Sequence, residues 1–254
     1  MINSSKPTKL FISHSTQDLS YVSHLVRLLQ VIGMSNDNMF CSSVKGFDIP
    51  LGSNIYDYLK DQFQNYDLKV LFVLSNNYYD SVASLNEMGA AWALQHSYTS
   101  ILLPKFEFKD IKGAIDPRNI SIKLDSAERE LKGRMNELYE DLQRRFELRS
   151  LQQIVWEGYR DEFIEKVRKT ASIWDHLRYL KEQNRPASEW ILPLNQLVDM
   201  DPEGFDALYM LGIKYSQIEN AVKAAEYLER AEKAASNEEM RNSIKRLKQS
   251  TMFS

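Results

Sequence analysis

The feature that most constrains the fold is the alternation of short apolar segments with longer amphipathic ones along the first part of the chain. Largely apolar segments occur at residues 9–12, 39–41, 70–74 and 101–103. The segments between them place apolar residues at helical spacing; before Gly33, for example, these are Leu19, Val22, Leu25, Val26, Leu29 and Ile32. Short apolar strands that alternate with helices are typical of a parallel sheet covered by helices on both faces.

Further elements complete this predicted α/β domain, which is expected to span residues 1–170. The first helix is predicted to start at a capping box formed by Ser15 and Asp18. Further helices are predicted over 55–63, 78–96 and 126–147, and residues 119–124 predict an edge strand or an extended connection. The apolar segment 153–156 is interpreted as the last strand and residues 159–168 as the last helix.

Residues 171–254 carry helix signals only, which predicts a second, all-α domain. A repeat with a period of about 34 residues has a second unit that resembles the tetratricopeptide pattern; its residues are Leu208, Leu211, Gly212, Tyr215, Ala224, Leu228 and Ala231. The first unit contains Trp174 and Leu177 but departs from the pattern at Arg178 and Trp190. A small helical bundle is the alternative, and either arrangement predicts a module for packing or for a protein partner.

Charge and composition argue against several classes of function. The net charge of −3 provides no basic field that would attract nucleic acid or an anionic membrane. Cys41 is the only cysteine, which excludes internal disulfides and fits a reducing compartment. The 4 histidines show no metal-ligand spacing, and no apolar run reaches the roughly 20 residues of a membrane helix. Because no signal-peptide core follows Met1, a cytoplasmic location is expected.

The segment 75–91 contains the main candidate for chemistry. It follows the third apolar segment, and its predicted helix spaces Ser81, Ser84 and Glu87 three residues apart. This spacing puts two hydroxyls and one carboxylate on one helical face, near the carboxyl end of a strand. Ligands of open α/β sheets bind at those strand ends. A lone acid there therefore predicts a site that stabilises positive charge.

Three segments resemble the signature motifs of Toll/interleukin-1 receptor (TIR) domains. Phe11-Ile-Ser-His-Ser15, with Asp18 beyond it, resembles the first motif. Asp48-Ile-Pro-Leu-Gly-Ser-Asn-Ile55 resembles the second, the loop between the second strand and the second helix. Residues 75–91 resemble the catalytic segment of NAD-cleaving TIR domains. The resemblance covers roughly residues 8–170 and implies a flavodoxin-like fold.

The resemblance also implies an NAD+ glycohydrolase, which cleaves the nicotinamide–ribose bond of its substrate NAD+ and uses no cofactor. Glu87 matches the essential glutamate of the family, and its carboxylate would offset the charge of an oxocarbenium-like ribose. The products would be nicotinamide and either ADP-ribose or a cyclic isomer of it. In many NAD-cleaving members a Trp and a Cys stand where this chain has Ala83 and Ser84.

The sequence suggests roles for several aromatic residues near the candidate site. The missing indole removes a stacking surface for the substrate, and the candidates to replace it are Tyr78, Tyr79 and Phe47. Trp92, which lies further along the same predicted helix, is assigned to the hydrophobic core.

The candidate substrate-binding residues follow the first strand, lie in the loop of the second motif, or precede the glutamate: Ser13, His14, Ser15, Lys45, Phe47 and Ser84. Four of these residues also have an alternative role. Ser15 is also placed to cap a helix, His14 to lie in a solvated turn, and Phe47 to pack beneath its loop. Ser84 would bind near Glu87 or the ribose, or bond back to its own helix.

A second class of function stays open, because TIR domains also act as non-catalytic adaptors. Glu87 favours the enzyme, since acids with a perturbed pKa cluster at functional sites. Self-association through the TIR domain is expected, and the helical tail is expected to bind a partner or to dimerise. The combination resembles components of prokaryotic antiviral defence. The chain lacks the acidic residues of a phosphoacceptor receiver domain and the glycine-rich fingerprints of nucleotide-binding loops.

Overall fold

The computed structural model of the protein describes residues 6–41, 44, 55–235 and 238–251. The chain divides into two compact units. One consists of Met1–Asp18 and His24–Ile164, and the other of Leu19–Ser23 and Glu165–Ser254. Within the described segments, no helix combines the length and the apolar character that crossing a membrane requires.

The described part of the first unit contains a five-stranded sheet in which all strands are parallel. Its strands are β1 (Thr8–Ser13), β2 (Met39–Phe40), β3 (Asp67–Leu74), β4 (Ser97–Leu102) and β5 (Ile122–Lys123). Their spatial order is β2-β1-β3-β4-β5, which is the order of flavodoxin-like doubly wound sheets. The α/β class and the parallel sheet predicted from the sequence are confirmed, and the segment 119–124 supplies the edge strand β5.

Six helices run between and after these strands in the described segments up to residue 182. They are α1 (Leu19–Val31), α2 (Ile55–Asn65), α3 (Asn76–Asp80), α4 (Val82–Ala93), α5 (Glu128–Arg145) and α6 (Gln153–Glu182). A single helical turn at Thr16–Asp18 precedes α1, and Gly33, with φ of +107°, follows its end. Glycine suits that position because it adopts a positive φ without a steric penalty.

The position of β3 in the sheet explains the apolar run at residues 70–74. Leu68, Val70, Phe72 and Leu74 belong to one buried cluster with β1, α2 and α4 residues. Leu71 and Val73 are also buried, and they point to the opposite face because side chains alternate along a strand. Both faces of the sheet are therefore covered, as expected for parallel strands.

The helix predicted over 78–96 is instead two helices, α3 and α4, which meet at Ser81. Ser81 has an extended backbone, with φ of −94° and ψ of 111°, and its Oγ accepts a hydrogen bond from the Ser84 N–H. Ser75 caps α3 in the same way by accepting from the Tyr78 N–H. Ser75 and Ser81 each accept a backbone N–H at the start of a helix, so the segment predicted as one helix forms two.

The prediction of a last strand at residues 153–156 is wrong, because this segment is the first turn of α6. Ile154 and Val155 favour a strand intrinsically, but both are exposed, and Ile154 is 76% exposed. Trp156 is buried and stacks on Tyr139 of α5 with ring centroids 4.3 Å apart. Packing of the indole against α5 therefore overrides the local β-propensity.

The second unit contains α7 (Ala187–Met200), α8 (Phe205–Gln217), α9 (Ala221–Ala234) and α10 (Glu238–Thr251). The apolar positions predicted for the second repeat unit are buried in α8 and α9. A Cβ added at Gly212 of α8 would lie 2.6 Å from Leu228 Cδ2 of α9. The absence of a side chain at Gly212 therefore permits the close approach of these two helices.

Candidate functional site

Glu87 lies on the buried side of α4, and only 8% of its surface is exposed. Its Oε2 accepts a hydrogen bond of 2.6 Å from Ser13 Oγ. Ser13 is the last residue of β1, and in the sheet it pairs with Phe72 of β3. The carboxyl group therefore contacts the carboxyl end of β1 at the β1/β3 junction. In sheets with this strand order, that junction is where ligands bind.

Tyr78 of α3 completes a chain of oxygen atoms with these two residues. Its hydroxyl lies 3.0 Å from Ser13 Oγ and donates a hydrogen bond of 2.9 Å to the carbonyl oxygen of Ser84. Tyr78 is 0% exposed, and its ring packs edge-on against Phe72. A buried tyrosine hydroxyl needs polar partners, and here both partners belong to the site.

Ser84 fixes α4 against the end of β1. Its Oγ donates a hydrogen bond of 3.1 Å to the carbonyl oxygen of His14 and lies 2.9 Å from Ser81 Oγ. The Ser84 hydroxyl therefore bonds to His14 and Ser81 rather than to Glu87. Ser84 and Glu87 do lie on the same buried side of α4, as their spacing predicted, whereas Ser81 is the cap that precedes the helix.

His14 is buried and neutral near pH 7, because burial lowers the pKa of its imidazole to about 4. Its Nδ1 lies 3.2 Å from the Ile12 carbonyl oxygen and 3.8 Å from Cys41 Sγ. The Ile12 carbonyl can only accept a hydrogen bond, so that contact assigns the imidazole proton to Nδ1. Nε2 is then an acceptor, and it has no hydrogen-bond partner among the described residues. The prediction that His14 lies in a solvated turn is wrong, since β1 continues directly into a buried segment.

Asp18 does not form the predicted capping box. Its carboxylate accepts hydrogen bonds from Ser75 Oγ and from Asn77 Nδ2, which is 2.8 Å away. Burial raises the pKa of Asp18 to about 6, although these hydrogen bonds oppose the rise. Because Ser75 also caps α3, Asp18 links the turn after β1 to the helix that carries Tyr78. Ser15 Oγ accepts from the Gln17 N–H at 3.4 Å and thus stays within its own turn.

The electrostatics of the site favour a neutral carboxyl group. Burial raises the pKa of Glu87 from 4.5 to about 7, and the hydrogen bond from Ser13 only partly opposes this rise. Burial also raises the pKa of Tyr78 well above its usual value, so its phenol stays protonated. Near pH 7 the carboxyl group thus exists in both protonation states, and a cation next to it would favour ionisation.

The sequence-predicted residues therefore fall into three groups. Ser13 and Glu87 are in contact, while Ser84 and His14 join the same cluster through the bond between Ser84 Oγ and the His14 carbonyl. Ser15 is buried beside them without a described bond to Glu87. Lys45 and Phe47 lie outside the described residues.

Two predictions about aromatic residues need correction. Tyr78 cannot offer a stacking surface because it has no exposed area, and Tyr79 stacks on Phe106 while its hydroxyl bonds to the backbone of Lys112. Trp92 is not in the core but is 65% exposed on α4. Helical periodicity misassigned it because α4 ends one residue later and turns its outer side to solvent in the first unit.

The polar role of Tyr78 was missed by the sequence interpretation. One signal was present: Tyr78 stands three residues after Ser75, the position whose N–H an N-cap serine binds. That relation fixes the start of α3 but gives no direction for the phenol. The contact with Ser13 is 65 positions distant in the chain, so only the fold reveals it.

The arrangement places one carboxyl group, the hydroxyls of Ser13, Tyr78 and Ser84, and a neutral imidazole at one end of the sheet. Such a site can stabilise a developing positive charge or exchange a proton near neutral pH. Within the described ranges, no three His, Cys, Asp or Glu side chains come together in a way that could hold a metal ion.

The chain matches no protein-family model. Over 117 residues it is 38% identical to YddK, an uncharacterized protein of Bacillus subtilis (strain 168). The matched segment comprises 46% of this chain and 43% of YddK, so the chain spans less than half of that relative. Since the name of YddK states no activity, the resemblance to TIR domains stays a prediction.

Proposed function

We propose that this protein is an NAD+ glycohydrolase of the TIR type, in which Glu87 is the catalytic carboxylate. The observation that carries the proposal is the position of a buried carboxyl group with a raised pKa at the β1/β3 junction. This is the ligand-binding edge of such a sheet, and residues of the first and third motif resemblances meet there. The TIR fold and the tetratricopeptide-like nature of the tail belong to the same proposal.

The chemistry requires little beyond one carboxylate. Nicotinamide leaves the cationic ring system of NAD+ as a neutral molecule, so it needs no general acid. The transition state concentrates positive charge on the ribose, and a preorganised carboxylate in a partly desolvated site offsets that charge. The substrate cation itself promotes ionisation of Glu87, because an opposite charge lowers the pKa of a carboxyl group.

Other residues would serve binding rather than bond cleavage. His14 offers an imidazole Nε2 that can accept a hydrogen bond, and Ser13 orients the carboxylate through its 2.6 Å contact. Ser15, Lys45 and Phe47 are retained as proposed contacts to ribose, nicotinamide or diphosphate, whereas Ser84 would act indirectly by holding α4 against the end of β1. Ala83 is exposed and supplies no stacking surface, so slow turnover is expected relative to members that carry Trp there.

The test compares nicotinamide release by the concentrated protein and by two variants. Glu87→Gln replaces the carboxylate by an uncharged group of nearly the same shape, and turnover is expected to fall by about 10²–10³. Glu140→Gln, at an exposed position of α5, makes the same chemical change far from the site in sequence and serves as the matched control. Mass spectrometry of the product distinguishes ADP-ribose from a cyclic isomer. Equal turnover in the wild type and Glu87→Gln would refute the proposal.

A non-catalytic adaptor is the second candidate, and one observation favours it. Apolar residues of α4 and of the position after it are exposed, with no exposed charged residue between them; they include Val82, Ala83, Leu85, Trp92 and Leu94. Exposed apolar patches of this kind often mark association surfaces. The two candidates differ in outcome: an adaptor loses self-association, measured by sedimentation, in Trp92→Ser but releases no nicotinamide in any variant.

The biological setting proposed is prokaryotic antiviral defence in the cytoplasm. An NAD-cleaving domain would deplete NAD+ or produce a cyclic nucleotide signal. The helical tail would bind a protein partner or dimerise, and thereby control assembly of the catalytic domain. Comparing NAD+ levels in infected cells that express the wild type or Glu87→Gln tests this setting: equal levels would exclude it.

A further inference from the structure

Three oxygen–oxygen contacts connect Glu87 to the backbone through Ser13 and Tyr78. They join Glu87 Oε2 to Ser13 Oγ at 2.6 Å, Ser13 Oγ to the Tyr78 hydroxyl at 3.0 Å, and that hydroxyl to the Ser84 carbonyl oxygen at 2.9 Å. All three distances are those of hydrogen bonds. Each contact needs one proton, and each hydroxyl has only one to give.

The number of available protons depends on the state of Glu87. When its carboxyl group is neutral, it donates to Ser13, Ser13 donates to Tyr78, and Tyr78 donates to the Ser84 carbonyl. Each contact then holds one proton, and all point in the same direction along the chain. When Glu87 is ionised, two protons remain for three contacts. Either Ser13 and Tyr78 face each other without a proton, or the Ser84 carbonyl loses its bond from Tyr78.

We propose that Tyr78 is a positioning residue that acts through Ser13 to favour the neutral form of Glu87, and that a cation bound beside the carboxyl group shifts it towards ionisation. The consequence for catalysis rests on the proposed function, but the proton balance of the free protein does not. On binding of the cation, the carboxyl proton leaves to solvent, Ser13 turns its proton to Glu87, and Tyr78 remains protonated.

The neighbouring titratable groups do not stabilise the charged form of Glu87. His14, at the end of β1, is neutral near pH 7 because burial lowers its pKa. Tyr78 and Tyr79 on α3 are neutral as well, since burial raises the pKa of each phenol. Asp18, which bonds to Ser75 and Asn77, is an acid and supplies no positive charge. The hydrogen-bond balance therefore acts in the same direction as burial.

Tyr78→Phe separates this role from simple space filling. The variant removes two of the three contacts and leaves Glu87 and Ser13 with one contact, which holds a proton in either state of the carboxyl group. Ionisation no longer costs a hydrogen bond, so the pKa of Glu87 is expected to fall by about half a unit to one unit. If the phenol only filled space, its replacement by a more apolar ring would leave this pKa unchanged or raise it.

Ser13→Ala is expected to act in the opposite direction. It removes the hydroxyl that donates to the carboxylate, and this hydrogen bond lowers the pKa of Glu87 in the wild type. The pKa is therefore expected to rise above its wild-type value of about 7. Two conservative substitutions on the same chain of oxygens thus shift one pKa in opposite directions, which a general loosening of the site would not do.

The pKa is measured directly by ¹³C NMR of the full-length protein labelled at the glutamate carboxyl carbon, titrated from pH 5 to pH 9. The resonance that disappears in Glu87→Gln is that of Glu87. Tyr98→Phe is the matched control, because the Tyr98 hydroxyl bonds to Asp116 and Asn119 instead. This variant should leave the midpoint unchanged. A midpoint in Tyr78→Phe that equals or exceeds the wild-type midpoint would overturn the proposal.

The titration needs no NAD+, so it distinguishes failure of this inference from failure of the proposed function. If nicotinamide is released, the pH profile of kcat provides a second measurement. Its acidic limb should move to lower pH in Tyr78→Phe, with several-fold higher relative turnover at pH 6 than in the wild type. An unchanged limb in an active Tyr78→Phe variant would also overturn the proposal.

Discussion

Replacing Glu87 by glutamine is expected to make the protein more stable, and increasingly so as the pH rises. The folded protein holds the pKa of this carboxyl group near 7, against 4.5 for an unperturbed glutamate. Between these values the folded state keeps a proton that the unfolded chain has lost, so the wild-type free energy of unfolding falls as the pH rises through this window. Below pH 4.5 the folded and unfolded states bind equal numbers of protons, and above pH 7 the loss of stability is complete.

The magnitude follows from the difference between the two pKa values. One pKa unit corresponds to about 1.4 kcal/mol, so complete ionisation of Glu87 destabilises the fold by about 3 kcal/mol. Most of this loss, about 2–3 kcal/mol, falls between pH 5 and pH 8. The glutamine of the Glu87→Gln variant has no proton to lose, and its amide N–H can donate to Ser13 as the neutral carboxyl group does.

The assay is urea unfolding of the wild type and of Glu87→Gln at pH 5 and at pH 8. The transition that the substitution displaces is the one to compare, because the chain has two compact units. The stability of the variant relative to the wild type should increase by about 2–3 kcal/mol between the two pH values. Asp18 titrates in both proteins and cancels in the comparison, and Glu140→Gln should show no such change. A constant or a falling difference would refute the raised pKa of Glu87.

Two further predictions concern the helical unit and the ligand. Gly212→Ala should lower the melting temperature, since its Cβ would lie 2.6 Å from Leu228 Cδ2; overpacking costs about 1–3 kcal/mol, and better helix propensity returns about 1 kcal/mol. In a Leu228→Ala background the same change should be neutral or stabilising, and an equal loss in both backgrounds would contradict the steric explanation. The cation 1-methylnicotinamide should lower the NMR midpoint of Glu87 by about one unit or more, whereas neutral nicotinamide should not; equal effects would exclude charge recognition.

The sequence predicts those elements whose local and long-range requirements agree. Residues 70–74 of β3 are continuously apolar because both faces of the strand are buried, and this pattern identifies the strand without further information. The N-terminus of α6 shows the opposite case, because Ile154 and Val155 favour a strand while the contact of Trp156 with Tyr139 requires a helix. That contact lies outside any local pattern, so the strand prediction is wrong for a physical reason.

The candidate site was predictable in one half only. Glu87 and Ser84 share a helical face, and their spacing is enough to place them together. The direction of that face, towards Ser13 and away from solvent, depends on how α4 packs on β1. Trp92 was misassigned for the same reason, and the polar role of Tyr78 depends on the break at Ser81 that separates α3 from α4.

Ionisation of the buried Glu87 lowers the stability of the fold by about 3 kcal/mol, which would be unfavourable if this residue served packing alone. A leucine or glutamine in place of Glu87 would fill comparable volume without that penalty, and the hydroxyls of Ser13 and Tyr78 would need no acidic partner. A cation bound next to the carboxylate would remove this penalty, because ionisation would then gain an attractive partner. The free protein therefore disfavours the charge that the bound state favours. Under the proposed function, this difference selects the cationic nicotinamide ring on binding, and the same charge then stabilises the ribosyl cation as the bond breaks.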